Sequence, residues 1–471
     1  MSAFKRIADP VHGTVSITEL ESQIIQAKSF QRLRNVKQLG LAYLVYPGAD
    51  YSRFSHSIGA CHLAGQILDV LETKEELKAF WTPSEIIENR KLLRVAALLH
   101  DVGHYPFSHT MEHALEEHYS NQMATGQGSR SSLDHELVGK RLMEHDAEIA
   151  KILQDNGVDP KKLSAIFRKE DGADAKLTNL VSADLDVDRL DYLQRTAHHT
   201  SLPYGNVDIR YLLSQVCVDK EHQFAISNKA LRTAEHLLLG RYFDYLQVSF
   251  HKTVAALEWL LSDVISALLE CGKIECDSNN VVKMIESGQW HGFDDGYLLE
   301  KIKSYADGND TNLSPSKRKA EALLNRRTPA LVAEYEAVLN AKAHKSKFEA
   351  FCIDVEKRVD QLASEYGIAK EFWHVWYKKR SLTAVGGDIS SDPEMAEKAA
   401  KAVRIVGSES KVSTPIICYE PSLMSVLGNY ELFILRVYVM LDDKHATIRS
   451  DLRKKIGRQV KESFPDVIWK N

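Results

Sequence analysis

One short segment, LLHDVGHYPFSH at residues 98–109, constrains both the fold and the chemistry of this chain. It places three histidines and one aspartate directly after an apolar pattern of helical period. That helix is predicted to begin with Thr82 as its N-cap, to run to about Asp101 and to end at Gly103. His100 continues the apolar face of the helix and should therefore point into the core. Its imidazole then needs a partner, because a buried polar group is costly unless it is bonded.

Two further segments combine an apolar face with side chains that can bind a metal. His56, in RFSHSIGACHLAGQIL, begins a predicted helix and shares a face with small and apolar residues. In VSADLDVDRLDYL, Asp184, Asp188 and Asp191 lie at helical spacing, which leaves open which of them is buried. Buried carboxylates are usually paired or bound to metal. Imidazole and carboxylate ligands together suit Fe, Mn, Zn or Ni better than Ca, so a transition-metal site is predicted.

Helical periodicity dominates the chain from Glu21 onward, after a strand-like start at DPVHGTVSI. Polar segments at 121–134 and 307–319 are predicted to be a loop and a boundary. The further predicted elements are helices at 137–154, 180–195, 232–269 and 451–464 and strands at 412–419 and 432–441. We therefore predict a mainly α fold. It has a helical core over residues 1–310 and a smaller C-terminal α+β lobe over 311–471, with a role in oligomerisation or regulation.

Composition excludes several classes of protein. With 471 residues, of which 44% are hydrophobic and 27% charged, the chain has the balance of an ordinary globular protein. Its net charge of −5 gives no overall positive field that would attract nucleic acid, which disfavours nucleic acid as a partner. No apolar run approaches the roughly 18 residues of a membrane span, and the N-terminus lacks the pattern of a signal peptide. The six scattered cysteines are predicted to be reduced thiols, which indicates the cytoplasm.

The order and spacing of these motifs resemble the HD-domain phosphohydrolase superfamily, whose signature is a histidine, an adjacent His–Asp pair and a distal aspartate. Within it, the chain most resembles the SAMHD1-like deoxynucleotide triphosphohydrolase branch. The similarity covers more than half of the chain, up to about residue 252, and is weak beyond about residue 320. It rests on the segments KRIADPVHG, FQRLRNVKQLG, YPGADYSRFSHSIGACHLAG, ALLHDVGHYPFSH, DHELVG, DVDRLDYLQRTAHHT and GRYFDYLQVSFHKT.

The resemblance implies a role for each matching position of this sequence. The implied metal ligands are His56, His100, Asp101 and Asp188. The implied acid–base residues and their supports are His104, His109, Glu112 and His135. The implied contacts with phosphate, sugar and nucleoside are Gln38, Leu39, Arg53, Arg189, Tyr192 and Arg241. The distal ligand is thus expected to be the middle one of the three spaced aspartates.

The reaction that the resemblance implies is hydrolysis of a deoxynucleoside triphosphate to a deoxynucleoside and tripolyphosphate. One transition metal per chain would acidify water and polarise a phosphate oxygen, and Mg²⁺ would accompany the triphosphate. His109 is the expected general acid for the leaving 5′ oxygen, because imidazole titrates near neutral pH. Arg53 and Arg189 are expected to clamp the triphosphate. Tyr192 is expected to stack under the deoxyribose and to disfavour ribonucleotides.

The chain departs from the family pattern at positions that choose the substrate. Thr196 stands where the pattern has an aspartate, and Tyr245, Ser249 and Phe250 stand where it has His, Tyr and Gln. We therefore expect a base preference different from that of SAMHD1. At the implied regulatory nucleotide site, Gln26 replaces the acidic residue that selects guanine. The other residues that match this site are Lys5, Gln31, Arg34, His251 and Lys252.

The expected assembly is a homo-oligomer, a dimer or a tetramer, that responds to nucleotides. Two other functions remain open on the sequence alone. An HD-type phosphodiesterase or nuclease acting on cyclic nucleotides, oligonucleotides or nucleic acid would use the same metal site. A catalytically silent nucleotide sensor or scaffold is opposed by the complete set of ligands and by His109. Control of dNTP pools and antiviral defence are both compatible with a triphosphohydrolase.

Overall fold

The computed structural model describes residues 5–79, 81–124, 131–168, 186–221, 223–307, 314–381, 402–407, 411–441 and 449–470. Its α-helices are α1 (Glu19–Gln26), α2 (Lys28–Gln31), α3 (Arg53–Thr73), α4 (Pro83–Leu99), α5 (His109–Ala124), α6 (His135–His145), α7 (Ala147–Asp155), α8 (Pro160–Arg168), α9 (Val187–Thr200), α10 (Ile209–Ser214), α11 (Leu231–Asp244), α12 (Lys252–Glu270), α13 (Ser278–Glu286), α14 (Asp295–Ala306), α15 (Pro315–Leu324), α16 (Ala341–Tyr366), α17 (Met424–Leu427) and α18 (Arg449–Glu462). The strands are β1 (Lys5–Asp9), β2 (Gly13–Ile17), β3 (Val216–Val218), β4 (Phe224–Ser227), β5 (Ala330–Asn340), β6 (Trp373–Ser381), β7 (Arg404–Val406), β8 (Ser413–Pro415) and β9 (Tyr430–Val439). Of the described helices, none is both long and apolar enough to span a bilayer. The predicted mainly α fold, with strands in the C-terminal part, is confirmed.

The helical core is organised around α3, which lies against both α4 and α9. Most of α3 is buried, so its sequence is rich in small and apolar residues on every side. The start of α4 is a capping box, in which Thr82 Oγ1 accepts from the Glu85 backbone and the Glu85 carboxylate accepts from the Thr82 backbone. The helix ends at Leu99, with His100 as its C-cap, two residues before the predicted end. These three helices bring the predicted ligands to one place.

The N-terminal hairpin of β1 and β2 packs on α3 and carries a histidine toward it. Its turn is closed by Asp9, whose Oδ1 accepts hydrogen bonds from the backbone nitrogens of Val11 and His12. Gly13 takes a positive φ of 73°, which a glycine adopts without strain. The turn chemistry of this segment therefore positions the imidazole of His12.

The C-terminal sheet is a three-stranded antiparallel sheet in which β9 lies between β5 and β6. Helices α16 and α18 pack on it and enclose an apolar cluster of their own. The fully buried Val355 and Val460 of these helices meet Leu435 of the central strand in that cluster. This part of the chain therefore has its own hydrophobic core.

Not all of the chain after residue 310 belongs to that second core. In a four-stranded sheet of order β3-β4-β7-β8, strand β7 pairs in parallel with β4 of the helical part. Ile405 and Met424 are buried in the main hydrophobic cluster, as are residues of α15. Segments 315–324, 402–407 and 411–427 thus pack with the helical core, and the division at residue 310 stays a prediction.

Several predicted elements differ from the observed ones. The pattern at 137–154 is two helices, because Asp146 ends α6 and caps α7 with its side chain. The pattern at 232–269 is interrupted by a π-helical turn at Tyr245–Ser249. The predicted loop begins later than expected, since α5 continues to Ala124, and residues 125–130 lie outside the described part. The predicted strand at 412–419 is short, because a 3₁₀ turn replaces it at Ile416–Cys418.

Candidate metal centre and active site

The four predicted metal ligands converge at the meeting point of α3, α4 and α9. Nε2 of His56 lies 3.3 Å from Nε2 of His100 and 3.0 Å from Oδ1 of Asp188. Oδ1 of Asp101 lies 3.3 Å from Nε2 of His100, and its Oδ2 lies 3.7 Å from Nε2 of His56. His56 and Asp101 are buried. Residues that are 132 positions apart in sequence, such as His56 and Asp188, thus face one point.

The protonation pattern of this cluster fits a bound cation. His100 Nδ1 lies 2.8 Å from the carbonyl oxygen of Ala97, which can only accept, so this nitrogen carries the proton. His56 Nδ1 lies 2.7 Å from Asp191 and is held in the same way. The Nε2 lone pairs of both histidines then face the carboxylates of Asp101 and Asp188. All four groups are acceptors, and no donor lies among them. A divalent metal satisfies all four groups, and the set of two imidazoles and two carboxylates suits Fe, Mn, Zn or Ni.

The electrostatics of His56 show the same need for positive charge. Burial alone would disfavour its imidazolium, but the carboxylates of Asp188 and Asp191 raise the pKa of His56 to about 10. Asp101 is buried too, and against that burial Arg53 and His100 hold the pKa of its carboxyl well below the usual range. The cluster therefore stabilises a cation among ionised carboxylates.

Asp191 is not one of the four predicted ligands, but it orients one of them. Its buried carboxylate receives His56 on one side and His12 Nε2, at 2.6 Å, on the other. Arg195 adds a bidentate pair at 2.8 Å to each oxygen and also bonds to Asp9. Gly59 leaves room for this network, since a Cβ there would collide with the Asp191 carboxylate. The predicted ligand Asp188 and the supporting Asp191 thus both turn toward His56, while Asp184 lies outside the described residues.

The predicted acid–base residues form a second cluster beside the metal centre. His104 Nε2 lies 3.1 Å from Asp101 Oδ1, and its ring stacks on that of His135 with centroids 3.8 Å apart. The Glu112 carboxylate connects His135 and His109. Its oxygens lie 3.0 Å from His135 Nδ1 and 3.3 Å from His109 Nδ1. The His109 side chain is 62% exposed, which leaves it the most accessible of the four. His135 is partly buried; against that burial, Glu112 raises the pKa of its imidazole.

The turn between α4 and α5 is strained in a way that serves this cluster. Phe107 and Ser108 both have positive φ, 52° and 56°, which is unusual for residues other than glycine. Asp295 holds the turn by accepting from the Phe107 backbone nitrogen at 2.7 Å. Ser108 Oγ in turn accepts from Arg53 Nε at 2.8 Å. The strained turn starts α5 at His109 and so places that imidazole beside His104 and His135.

One cavity of about 360 Å³ is lined by three predicted metal ligands, His100, Asp101 and Asp188, and by the three histidines of the second cluster, whereas His56 and Glu112 are not part of its lining. Seven of the ten predicted substrate contacts line this cavity: Gln38, Leu39, Arg53, Arg189, Tyr192, Tyr245 and Ser249. Three predicted contacts do not belong to its lining. Thr196 bonds through Oγ1 to the Tyr51 hydroxyl at 2.8 Å, Arg241 lies 5.9 Å from the Tyr245 ring, and Phe250 packs on Tyr245 and Trp376.

Some polar groups of the cavity have partners within the protein, and others do not. Arg53 Nη1 bonds to Asp101 Oδ2 at 2.5 Å, and Arg189 lies 3.4 Å from Asp186. By contrast, Gln38 Oε1 and the Tyr192 hydroxyl are buried without a hydrogen-bond partner in the part of the chain that the structure describes. Buried polar atoms are rarely left unpaired, so these two indicate a ligand.

The residues predicted for a regulatory nucleotide fall into two groups. Lys5 and Gln26 both bond to Ser22 Oγ, at 2.8 and 3.1 Å, and Arg34 bonds to Gln31 Oε1 at 2.8 Å. Lys252 instead lines a separate basic cleft of about 660 Å³, together with Arg453, Lys454 and other residues of α18 and β5. His251 caps the start of α12 through its Nδ1. Lys5, Gln26, Gln31 and Arg34 are not part of the lining of this cleft.

Sequence reasoning missed several residues of the site. His12, Asp9 and Arg195 support Asp191, and only the turn pattern DPVHG hinted at the first of them. Asp186 caps α9 and pairs with Arg189. Asp244, at the end of α11, lines the cavity, and no local pattern singled it out.

Residues 53–196 match the family model described as HD domain. The uncharacterized protein YwfO of Bacillus subtilis (strain 168) is 33% identical over 268 residues, which cover 56% of either chain. The deoxynucleoside triphosphate triphosphohydrolase SAMHD1 homolog of Dictyostelium discoideum is 28% identical over 275 residues, 56% of this chain and 49% of that protein. The chain thus spans about half the length of the curated relatives it matches.

Similarity to a solved structure extends over almost the entire chain. A hypothetical protein from Aquifex aeolicus superposes with a TM-score of 0.69 at 25% identity, covering 96% of this chain and 100% of that one. The similarity therefore extends past the helical part into the C-terminal sheet.

Proposed function

Because this chain belongs to the HD-domain phosphohydrolase superfamily, we propose that it is a metal-dependent deoxynucleoside triphosphate triphosphohydrolase. The proposed reaction converts a dNTP and water to a deoxynucleoside and tripolyphosphate. The single observation that carries this proposal is one cavity whose wall contains three of the four predicted metal ligands, three histidines of the second cluster and two arginines. The metal centre alone would serve any HD phosphohydrolase. Two arginines in the same cavity, Arg53 and Arg189, favour a polyphosphate substrate.

His56, His100, Asp101 and Asp188 would hold one Fe, Mn, Zn or Ni. A bound divalent metal lowers the pKa of water and polarises phosphate oxygens. Asp191 and the Ala97 carbonyl keep both imidazoles in the tautomer that binds metal.

Proton transfer falls to the second cluster. Water attacks the α-phosphorus, the bond to the 5′ oxygen breaks, and that oxygen leaves with a proton from His109. Glu112 holds His109 and His135 by one carboxylate, so both imidazoles keep a fixed orientation. His104 lies between Asp101 and His135 and would stabilise charge on the phosphate.

The remaining lining residues would bind the substrate. Arg189 and Arg53 face the cavity and would bind the triphosphate, accompanied by Mg²⁺. Arg53 is also paired with Asp101, so it couples phosphate binding to the metal ligand. Gln38, Leu39 and Tyr192 would contact the nucleoside, with Tyr192 under the deoxyribose.

Product analysis tests the proposal directly. Each dNTP and each NTP is incubated alone and in pairs with Mg²⁺ or Mn²⁺, and the products are separated by ion exchange. We expect tripolyphosphate and nucleoside from at least one dNTP, with ribonucleotides as poor substrates. Activity only in mixtures would indicate a regulatory nucleotide bound near Gln31, Arg34 and Lys252. Release of nucleoside monophosphate, or cleavage of oligonucleotides alone, would overturn the proposal in favour of a phosphodiesterase or nuclease.

The protein is further proposed to be a cytoplasmic homo-oligomer, since closed symmetric assemblies are the commonest oligomers. The Lys252 cleft and the Lys5–Arg34 group would then come together from different chains around a regulatory nucleotide. Light scattering with and without nucleotides should show at least a dimer. A monomer of 53.2 kDa under both conditions would contradict this assembly.

A further inference from the structure

Asp244 is a carboxyl in the cavity wall to which the mechanism assigns no task. It is the last residue of α11, immediately before the π-helical turn that carries Tyr245 and Ser249 into the cavity. It is only 2% exposed, and its Oδ1 accepts a hydrogen bond from the Tyr204 hydroxyl at 2.8 Å. No second hydrogen bond or ion pair engages this carboxyl among the described residues. A buried carboxyl with one free oxygen in a cavity wall points to a ligand with a donor group.

The other carboxyls of the cavity already have partners. Asp101 and Asp188 belong to the metal centre, and Asp186 pairs with Arg189. Of the described aspartates that line the cavity, Asp244 alone is neither a predicted metal ligand nor bonded to an arginine. It therefore remains available to the substrate.

Charge decides which part of a nucleotide Asp244 can face. A carboxylate repels phosphate oxygens, so this side chain must lie against the uncharged nucleoside rather than the triphosphate. Burial raises the pKa of Asp244 to about 7, while the Tyr204 hydrogen bond and the charges of Arg241 and Arg380 act in the opposite direction. In either protonation state, the carboxyl can accept an O–H hydrogen bond.

Two polar atoms near Asp244 indicate that the ligand group it binds is a hydroxyl. The buried Tyr192 hydroxyl lies within electrostatic reach of Asp244 and has no hydrogen-bond partner in the described part of the chain. Gln38 Oε1 is a further unpaired acceptor in the same lining. A hydroxyl both donates and accepts, so it complements a carboxyl and a phenol together. Thr196, which bonds to Tyr51, is not part of this lining.

We propose that Asp244 accepts a hydrogen bond from the 3′-hydroxyl of the deoxyribose and makes the site selective for substrates that carry it. This inference rests on the proposed triphosphohydrolase function. Asp244 is then a residue that determines specificity, placed by the end of α11 and held by Tyr204.

The variant Asp244→Asn tests this contact. Tyr204 holds the side-chain oxygen, so the amide group presented to the cavity becomes a donor where the carboxyl was an acceptor. Each dNTP is compared with its 2′,3′-dideoxy counterpart by kcat/KM. We expect the wild-type protein to prefer the 3′-hydroxyl by about 10-fold to 100-fold, the usual cost of leaving a buried charged group unpaired. The variant should lose this preference by a slower reaction with dNTPs and an almost unchanged one with dideoxy substrates.

Two further variants separate recognition from structure. Asp219→Asn removes a similarly buried carboxylate, bonded to Ser413 and remote from the cavity lining, and should keep the full preference. Tyr204→Phe removes the hydrogen bond to Asp244 Oδ1 but leaves the carboxyl in place. This variant should retain most of the preference for the 3′-hydroxyl. Metal content and melting temperature are measured for every variant, so that a folding defect is recognised.

The outcomes distinguish this inference from the proposed function. If the wild-type protein cleaves dNTPs and dideoxy substrates equally well, the function stands and the inference fails. An equal loss of both substrates in Asp244→Asn, or a loss confined to one base, also overturns the 3′-hydroxyl contact. Absence of all dNTP cleavage in the wild-type protein overturns both.

Discussion

At the scale of single residues, the predicted metal centre depends on a carboxylate that is not one of its four predicted ligands. Asp191 fixes the His56 tautomer, and burial of its charge is balanced by Arg195 and His12. Asp191→Asn should leave all four ligands in place but weaken metal affinity by roughly 10-fold to 100-fold, the usual effect of losing such a support. Elemental analysis during titration with a chelator measures this. The double variant His100→Ala/Asp101→Ala should carry no metal at all, and equal metal content in all three proteins would refute the assignment.

His109 is predicted to donate the proton without holding the metal. His109→Ala should therefore keep the metal content and slow hydrolysis by roughly 10²-fold to 10⁴-fold, the range for loss of a general acid. His113, one turn further along α5 and 70% exposed, provides the matched control, and its alanine variant should be fully active. Undiminished turnover in His109→Ala would move the role to His135.

The individual residues differ in how far the sequence could predict them. His100 and Asp101 follow from an apolar helix that ends in a polar pair, because local periodicity determines which way the histidine points. The choice between Asp188 and Asp191 could not be made from spacing, since both turn inward, one to the metal centre and one to Arg195. Asp244 escaped prediction because its burial depends on Tyr204, 40 positions earlier.

At the scale of elements, the break between α11 and α12 shapes the cavity. The sequence from 232 to 269 is continuously helical in pattern, yet the backbone widens to a π turn, and Phe250 N bonds to Tyr245 O at 2.6 Å. This turn directs Tyr245 and Ser249 into the cavity. Local periodicity cannot predict such a break, because the tertiary contacts of the turn decide it.

Helix α12 contains a carboxyl that should make stability depend on pH. Burial raises the pKa of Glu258 to about 7 from an ordinary value near 4.5, while Lys378 and Thr110 act in the opposite direction. The folded state therefore favours the protonated form, and the stability that this provides is lost as the pH rises through about 7. Glu258→Gln removes the cost of ionisation, so the variant should melt higher than wild type at pH 8, by roughly 2–4 °C for each 1 kcal/mol gained.

The comparison at pH 5 gives the sign of the Glu258 effect. There the wild-type carboxyl is protonated in the folded state, and the unfolded carboxyl, with its ordinary pKa near 4.5, contributes only a small part of the full effect, so the variant should have a much smaller advantage than at pH 8. Glu300→Gln, on an exposed face of α14, should show no such dependence on pH. A stabilisation that is the same at pH 5 and pH 8 would contradict the assigned cause.

At the scale of the whole molecule, the C-terminal sheet contacts the segment that forms one wall of the cavity. Arg436 of β9 donates to the Phe250 carbonyl, and the Tyr438 hydroxyl donates to the Lys252 carbonyl at 2.8 Å. Arg380 of β6 lies 3.7 Å above the Tyr245 ring. The sheet thus holds the chain immediately after the π turn, across a separation of 186 residues. Sequence patterns predicted strands in this lobe but had no means of locating contacts at that distance.

Removing one hydroxyl from this contact tests whether the sheet acts on the site. Tyr438→Phe deletes the hydrogen bond to Lys252 while the fully packed ring stays in place. The loss of about 1 kcal/mol should appear as a roughly 5-fold rise in KM for the dNTP with little change in kcat, because the bond positions the cavity wall and not the reacting groups. Tyr335→Phe on the neighbouring strand β5, which faces the separate core of the sheet, is the matched control and should leave KM unchanged. Steady-state kinetics of both variants decide the matter: identical KM values would mean that the sheet stabilises the chain without shaping the site, whereas a lower kcat would indicate that it also positions the reacting groups.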